Sequence, residues 1–196
     1  MSPADPAKRR ATYADLLAVP EHLVAEILDG ELVVSPRPAA RHARASSVIA
    51  SDLAGPFDRG PEGPPPPLGG WWLLYEPELH LGADVIVPDL AGWRRERMPQ
   101  IPDVAAFTLA PDWVCEVISP STARIDRVRK MAIYAREKVG HLWLVDPAAH
   151  TLEVYRLDGA RWTVAGNHAA SEHVRAAPFE AVEIDIARWW IDPDPS

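Results

Sequence analysis

Two carboxylates accompany the most apolar segments of this sequence. Asp89 follows the apolar run of VIVPDL, and Glu116 lies in the middle of VCEVIS. A carboxylate inside so hydrophobic a strand needs a partner, because an unpaired buried charge is costly. Two carboxylates on neighbouring strands repel each other unless a cation lies between them, and their hard oxygen atoms favour Mg²⁺ or Mn²⁺ over zinc. This pattern is one that a divalent metal site would require.

The segment after the second carboxylate predicts a helix that carries Lys130. Asp126, Lys130 and Tyr134 share one helix face at i, i+4, i+8 spacing. A lysine beside a metal site can hold a water molecule and stabilise negative charge that develops on a phosphate. We expect the Lys130 position to be polar and tolerant of alanine. Tyr134 is expected to pack under the helix.

Spacing alone also permits a purely structural interpretation, and by itself favours it. Glu116 would then pair with an arginine of the 124–136 helix, and Asp89 would cap a turn after Pro88.

The surrounding sequence predicts the elements that position these residues. VAEILDGELVVS predicts a β-hairpin with a type I′ turn at Asp29-Gly30. Apolar periodicity predicts helices over 39–57 and 123–139, and apolar runs predict strands over 112–119, 141–146 and 151–158. The order predicts a mixed α/β fold, with a central sheet flanked by helices. Residues 12–196 are expected to form a single domain and residues 1–11 a flexible N-terminus.

Composition excludes several classes of protein. Hydrophobic residues make up 47% of the 196 residues, which argues against disorder. The net charge of −8 argues against a protein that coats nucleic acid by general positive charge. The single cysteine, Cys115, excludes an internal disulfide and is expected in the core, on the strand face opposite Glu116. Because the chain lacks an apolar signal segment and a run of 18 apolar residues, we expect a cytoplasmic protein without a membrane span.

Several segments together resemble the Uma-two family of bacterial restriction endonucleases, within the PD-(D/E)xK nuclease superfamily. They are TYADLLAVPE (12–21), AEILDGELVVSPRPAARH (25–42), VIVPDLA (85–91), EVISPSTARIDRVRKMAIYAREKVGHLWLVDP (116–147) and TLEVYRL (151–157). The resemblance implies a restriction-endonuclease-like fold and a metal-dependent DNA endonuclease that hydrolyses phosphodiester bonds. It also implies that Asp89, Glu116 and the carbonyl of Val117 hold Mg²⁺ or Mn²⁺.

One position departs from the superfamily pattern. Ile118 stands where the broad pattern has lysine, whereas the Uma-two pattern has a lysine on the next helix, which Lys130 matches. Glu26 also matches a glutamate of the family pattern. It would contact the metal or a water molecule, or be an exposed strand residue, and both interpretations are open. His42 lies in a segment that resembles the family, but a surface histidine at a helix start is favoured.

Charge and aromatic patterns bear on partners. The 121–138 helix carries a local charge of +4, and Arg94, Arg95 and Arg97 form a second basic cluster. These strips would follow a DNA backbone or be solvated faces. The stretch 61–70 predicts a stiff proline-rich loop, and Trp189-Trp190 suggests an apolar surface for a homodimer. The alternative function is a nuclease-fold module that binds nucleic acid or a protein without cleavage, which the acidic charge and Ile118 favour.

Overall fold

A computed structural model describes residues 9–58 and 69–191. Most of the predicted flexible N-terminus and of the proline-rich loop lies outside the described residues. Within the described part, Ala11 donates a backbone hydrogen bond to Gly30 (2.8 Å) and Arg9 forms an ion pair with Asp15 (2.8 Å). Contacts with the domain therefore begin before residue 12.

The chain alternates short helices with strands. The elements are α1 (Tyr13–Leu17), β1 (Leu23–Leu28), β2 (Glu31–Pro36), α2 (Ala40–Leu53), β3 (Trp71–Tyr75), β4 (Leu79–Leu81), β5 (Asp84–Ile86), β6 (Leu90–Arg94), β7 (Trp113–Val117), α3 (Ala123–Ile125), α4 (Met131–Arg136), β8 (His141–Asp146), β9 (Thr151–Asp158), β10 (Arg161–Ala169), β11 (His173–Val174) and β12 (Ile184–Asp185). A π-helical turn, Ala54–Asp58, extends α2, and a second, Asp126–Lys130, joins α3 to α4. A 3₁₀ turn, Ile186–Trp189, follows β12.

The central sheet is mixed, as predicted. Its six strands have the order β10-β9-β8-β7-β6-β3, and β7 and β8 form its parallel pair. A second sheet has the order β2-β1-β5-β4 and is antiparallel. Its β1–β2 hairpin turns at Asp29 and Gly30, whose φ angles of 51° and 81° match the predicted type I′ turn.

The two faces of β7 contribute to different cores. Trp113, Cys115 and Val117 pack with residues of α2 and the C-terminal segment. Val114 and Ile118 pack on the other side, with residues of α4 and the second sheet. Because successive strand residues point to opposite faces, Glu116 lies on the α4 side. Cys115 is buried on the opposite face, as expected.

The C-terminal tryptophans do not form an exposed surface. Trp189 is 0% and Trp190 is 8% exposed, and both belong to the α2-side core. Their indole N–H groups donate to Asp52 Oδ2 (3.1 Å) and the Ala170 carbonyl (2.7 Å). The expectation that this pair presents an apolar dimer surface was therefore wrong.

Among the helices of the described residues, none combines the length and the apolar character that crossing a membrane requires.

Candidate active site

Strand pairing brings Asp89 to the end of β7. Leu90, the first residue of β6, pairs with Cys115, so Asp89 lies beside Glu116 and Val117. Oδ2 of Asp89 accepts a hydrogen bond from the Val117 N–H at 2.7 Å. Asp89 therefore contacts the neighbouring strand, and the predicted role as a turn cap after Pro88 does not describe its contacts.

Glu116 has two buried partners on one helical segment. Its Oε2 lies 3.2 Å from Lys130 Nζ, and its Oε1 accepts a hydrogen bond from the Tyr134 hydroxyl. The expected pairing with an arginine was wrong, because lysine and tyrosine supply the partners. Tyr134 is fully buried, as predicted, and its hydroxyl group orients the carboxylate.

Lys130 is enclosed by oxygen atoms. Its Nζ lies 2.8 Å from Glu26 Oε1, 3.2 Å from Glu116 Oε2 and 3.8 Å from Asp126 Oδ1. It also donates to the Val87 carbonyl at 3.3 Å. Lys130 is 5% exposed, so the expectation of a polar helix position that tolerates alanine was wrong.

Glu26 projects into the same cluster from β1. It is 6% exposed, and its Oε1 accepts a hydrogen bond from the Val87 N–H at 2.9 Å. Of the two interpretations of Glu26, the exposed strand residue is excluded.

Sequence reasoning missed two side chains. His42 is 8% exposed, and its Nε2 lies 3.1 Å from Asp89 Oδ1, so the surface interpretation was wrong. Its position three and seven residues before the buried Ala45 and Ile49 was the available signal, because that spacing lies on one helix face. Asp126 was noted only for its spacing from Lys130, and the i, i+4 relationship is what brings the two together.

One cavity of about 430 Å³ is lined by all four predicted side chains, Glu26, Asp89, Glu116 and Lys130. Val117, His42 and Asp126 line the same cavity. Polar residues from the loops complete its wall, including Arg37, Glu76, Ser119, Ser121 and Thr122. The cavity therefore joins residues of β1, α2, β7 and the π-helical turn with the Val87–Asp89 segment.

Burial and mutual charge shift the acid–base equilibria of this cluster. Burial raises the pKa of Glu116 well above its usual value, against the effect of Lys130, and burial also raises the pKa of Asp126. Burial would lower the pKa of Lys130, but Glu116, Glu26 and Asp126 raise it well above its usual value. Burial opposes protonation of His42, but the hydrogen bond to Asp89 raises its pKa overall.

Most arginines of the predicted basic helix form ion pairs with other parts of the chain. Three of them form ion pairs with acidic residues of other elements. They are Arg127 with Glu153, Arg129 with Glu31 and Arg136 with Asp84. In the second cluster, Arg95 pairs with Asp58 and Arg97 with Asp112. These contacts favour structural roles for these five arginines.

Comparison with models of protein families shows which family this chain belongs to. The model of the family described as Uma2, putative restriction endonuclease, matches residues 11–187. The chain belongs to this family. Among solved structures, the Uma2 chain is similar to a putative nuclease belonging to DUF820 from Anabaena variabilis, with a TM-score of 0.69 and 20% sequence identity. The match covers 91% of this chain and 97% of that one, and shows a shared fold. No curated protein matches the chain.

The fold and family of this Uma2 member agree with the predicted mixed α/β, nuclease-like architecture. The site itself is held together by hydrogen bonds and ion pairs. In the described ranges, no three His, Cys, Asp or Glu side chains are arranged as a ready-made metal site.

Proposed function

We propose that this chain is a divalent-metal-dependent endodeoxyribonuclease that hydrolyses phosphodiester bonds. The observation that carries the proposal is the convergence of Asp89, Glu116 and Lys130 on one cavity in a member of a restriction endonuclease family. Asp89 lies in the segment before β6, Glu116 in β7 and Lys130 in the π-helical turn, and the Lys130 nitrogen contacts Glu116 directly.

The chemistry of the cluster fits a hard cation. Five carboxyl groups line the cavity, those of Glu26, Glu76, Asp89, Glu116 and Asp126, and they outnumber its basic side chains Arg37, His42 and Lys130. Such a surplus is stable in a buried site when a further cation neutralises it. Asp89, Glu116 and the carbonyl of Val117 would hold Mg²⁺ or Mn²⁺. When bound, the metal supplies a water molecule of lowered pKa and polarises the scissile phosphate.

The chain's own residues hold and orient the reacting groups. Lys130 would donate a hydrogen bond to the attacking water or to the phosphate oxygen on which charge accumulates. Tyr134 and the Val117 N–H keep the carboxylates of Glu116 and Asp89 in fixed orientations. Because these donors are already in place, little reorganisation is required during the reaction.

Position 118 does not weaken the proposal. Ile118 is buried among apolar residues in the core on the α4 side. Lys130 supplies a charge beside the second carboxylate from the helical segment instead. Under this proposal, the lysine of the broad pattern stands at position 130, and position 118 has isoleucine.

A cleavage assay tests the proposal. Supercoiled plasmid, linear duplex, single-stranded DNA and RNA are incubated with Mg²⁺, Mn²⁺ or EDTA. We expect metal-dependent cleavage of DNA that Asp89→Asn lowers by about 100-fold or more. Asp158→Asn is the matched control, because Asp158 is exposed at the end of β9 and does not line the cavity. Binding of DNA or a protein without cleavage would support the alternative module instead.

Homodimerisation is a separate prediction. Cleavage of both strands of a duplex by one enzyme is often performed by two copies. Sedimentation at tens of micromolar, a range chosen from about micromolar interface affinities, measures this. A monomer at that concentration would remove the homodimer prediction without affecting cleavage of single strands.

A further inference from the structure

One oxygen atom of Glu26 contacts both the side chain of Lys130 and the backbone of Val87. Oε1 forms an ion pair with Lys130 Nζ at 2.8 Å and accepts a hydrogen bond from the Val87 N–H at 2.9 Å. Charge-assisted hydrogen bonds of this length are stronger than neutral ones and hold their donors in place. Glu26 therefore fixes the lysine head group relative to the backbone of residue 87.

The same three residues form a closed set of contacts. Lys130 Nζ also donates to the Val87 carbonyl at 3.3 Å. The backbone of Val87 therefore contacts Lys130 through its carbonyl and Glu26 through its N–H group. Val87 lies two residues before Asp89 and is joined to it through Pro88, whose ring restricts the backbone. The position of Lys130 is thereby tied to the position of Asp89.

Glu26 is also the carboxylate nearest to Lys130. Its distance of 2.8 Å compares with 3.2 Å for Glu116 and 3.8 Å for Asp126. All three carboxylates are buried, and they belong to β1, β7 and the π-helical turn. Glu26 thus holds the ammonium group from the second sheet while Glu116 contacts it from the central sheet.

We propose that Glu26 is a positioning residue that acts through Lys130 and is not a metal ligand. This inference rests on the proposed nuclease function. It assigns Glu26 a different chemistry from Asp89 and Glu116: its charge keeps the lysine beside Glu116.

A double-mutant cycle on catalysis distinguishes the two roles. Glu26→Gln is expected to lower kcat about tenfold or more, while the KM for DNA and the Kd for Mn²⁺ change by less than about threefold. In a Lys130→Met background, Glu26→Gln is expected to cause no further loss, because the residue through which it acts is gone. Glu26→Asp, which keeps the charge, should retain more of kcat. An increase of about tenfold or more in the Kd for Mn²⁺, or equal losses of kcat in both backgrounds, would overturn the proposal.

Thermal unfolding in EDTA tests the contact without cleavage. Glu26→Gln should lower Tm in the wild-type background because Lys130 loses its nearest partner. In the Lys130→Met background it should raise Tm or leave it unchanged, because Glu26 is then a buried carboxylate without its cation. Lys130→Gln replaces Lys130→Met if the methionine variant does not fold. A decrease in Tm of equal size in both backgrounds would contradict the proposal.

Glu78→Gln is the matched control for both cycles. Glu78 bonds to Tyr13 and His80 and does not line the cavity, so its substitution should have the same effect with and without Lys130. Failure of the wild-type protein to bind Mn²⁺ or cleave DNA would overturn the proposed function. The thermal cycle would still show whether Glu26 holds Lys130.

Discussion

The ammonium group of Lys130 lies 3.2 Å from Oε2 of Glu116, although the two residues are 14 positions apart. Glu116 points from the middle of β7, and Lys130 approaches from the π-helical turn between α3 and α4. Single π-helical turns are frequent at functional sites because they change which side chains a helix directs inward. Here the turn ends at the residue that reaches the carboxylates.

From this contact we expect that replacing Lys130 will lower both stability and activity. Lys130→Met leaves three buried carboxylates without their cation, and we expect a loss of about 3–5 kcal/mol in the free energy of unfolding in EDTA. Below its Tm, the variant should cleave DNA about 100-fold more slowly or worse, the scale of a lost acid–base or electrostatic group. Urea unfolding and single-turnover cleavage measure the two effects.

Two further variants serve as controls for the Lys130→Met prediction. Lys130→Arg should restore little activity, because the larger guanidinium group must fit among Glu26, Glu116 and the Val87 carbonyl. Lys138→Ala should have little effect on either measurement, because Lys138 is exposed and its ammonium group donates a hydrogen bond to the Gly159 carbonyl, away from the cavity. Equal losses of cleavage from Lys130→Met and Lys138→Ala would indicate a general phosphate-binding face.

Local patterns in the sequence account for part of this architecture. The alternation along β7 placed Cys115 and Glu116 on opposite faces, and Asp29-Gly30 identified the hairpin, because both features depend on neighbouring residues. Apolar runs and helix spacing identified Asp89, Glu116 and Lys130, and the family resemblance favoured their interpretation as a metal site over a structural one. These inferences needed no knowledge of distant contacts.

Other features depend on contacts between distant segments. His42 was misjudged because Asp89, its partner, is 47 positions away in sequence and reaches it only when α2 packs against the central sheet. Trp189 was misjudged because the 3₁₀ turn after β12 packs its ring beside Trp143. A pattern of residue types does not specify such pairings, since many packings satisfy the same pattern.

His42 is expected to hold Asp89 in position. His42→Ala removes the group 3.1 Å from Asp89 Oδ1 and leaves the Val117 N–H as the hydrogen-bond donor to that carboxylate in the described part of the chain. Loss of such a supporting contact typically lowers metal affinity or activity by about 10–100-fold. Isothermal titration with Mn²⁺ and the cleavage assay measure this loss.

The matched control for this variant is His168→Ala. Nδ1 of His168 lies 3.1 Å from Oε2 of Glu172, and the residue does not line the cavity, so its loss should change neither measurement. His42→Gln, whose amide can donate a hydrogen bond, should retain more function than His42→Ala. Unchanged metal affinity and cleavage in His42→Ala would show that Asp89 does not need this contact.

Tyr134 should make stability sensitive to alkaline pH. Burial, followed by the effect of Glu116, raises the pKa of Tyr134 well above its usual value. Above about pH 10 the unfolded chain loses the phenol proton while the folded chain retains it, so stability falls as the pH rises. Tyr134→Phe should remove this part of the slope. At pH 7 the same variant should cost about 1.5–3 kcal/mol, because Glu116 loses a hydrogen-bond donor.

Urea unfolding of both proteins between pH 7 and pH 11 tests this prediction. Lys130 contributes a slope of the same sign, because its raised pKa keeps the folded chain protonated after the unfolded chain has lost its proton. That contribution is present in both proteins, so the difference between their slopes reports Tyr134. Identical slopes would show that the phenol is not held in its protonated form.

Metal binding should release protons and stabilise the fold. Burial raises the pKa of Glu116, so this carboxyl group keeps its proton to a higher pH than an ordinary glutamate, and a divalent ion must displace that proton. The affinity for Mn²⁺ should therefore fall as the pH falls through that pKa. Titrations in buffers of different ionisation enthalpy should show proton release at acidic pH, and Glu116→Gln should abolish both the release and most of the binding.

At about 100 times the Kd, Mn²⁺ should stabilise the wild-type fold by about 2.7 kcal/mol, a Tm increase of about 5–10 °C. A Tm that is the same in Mn²⁺ and in EDTA would mean that the surplus carboxylates are neutralised by protons and that the cavity does not hold the ion.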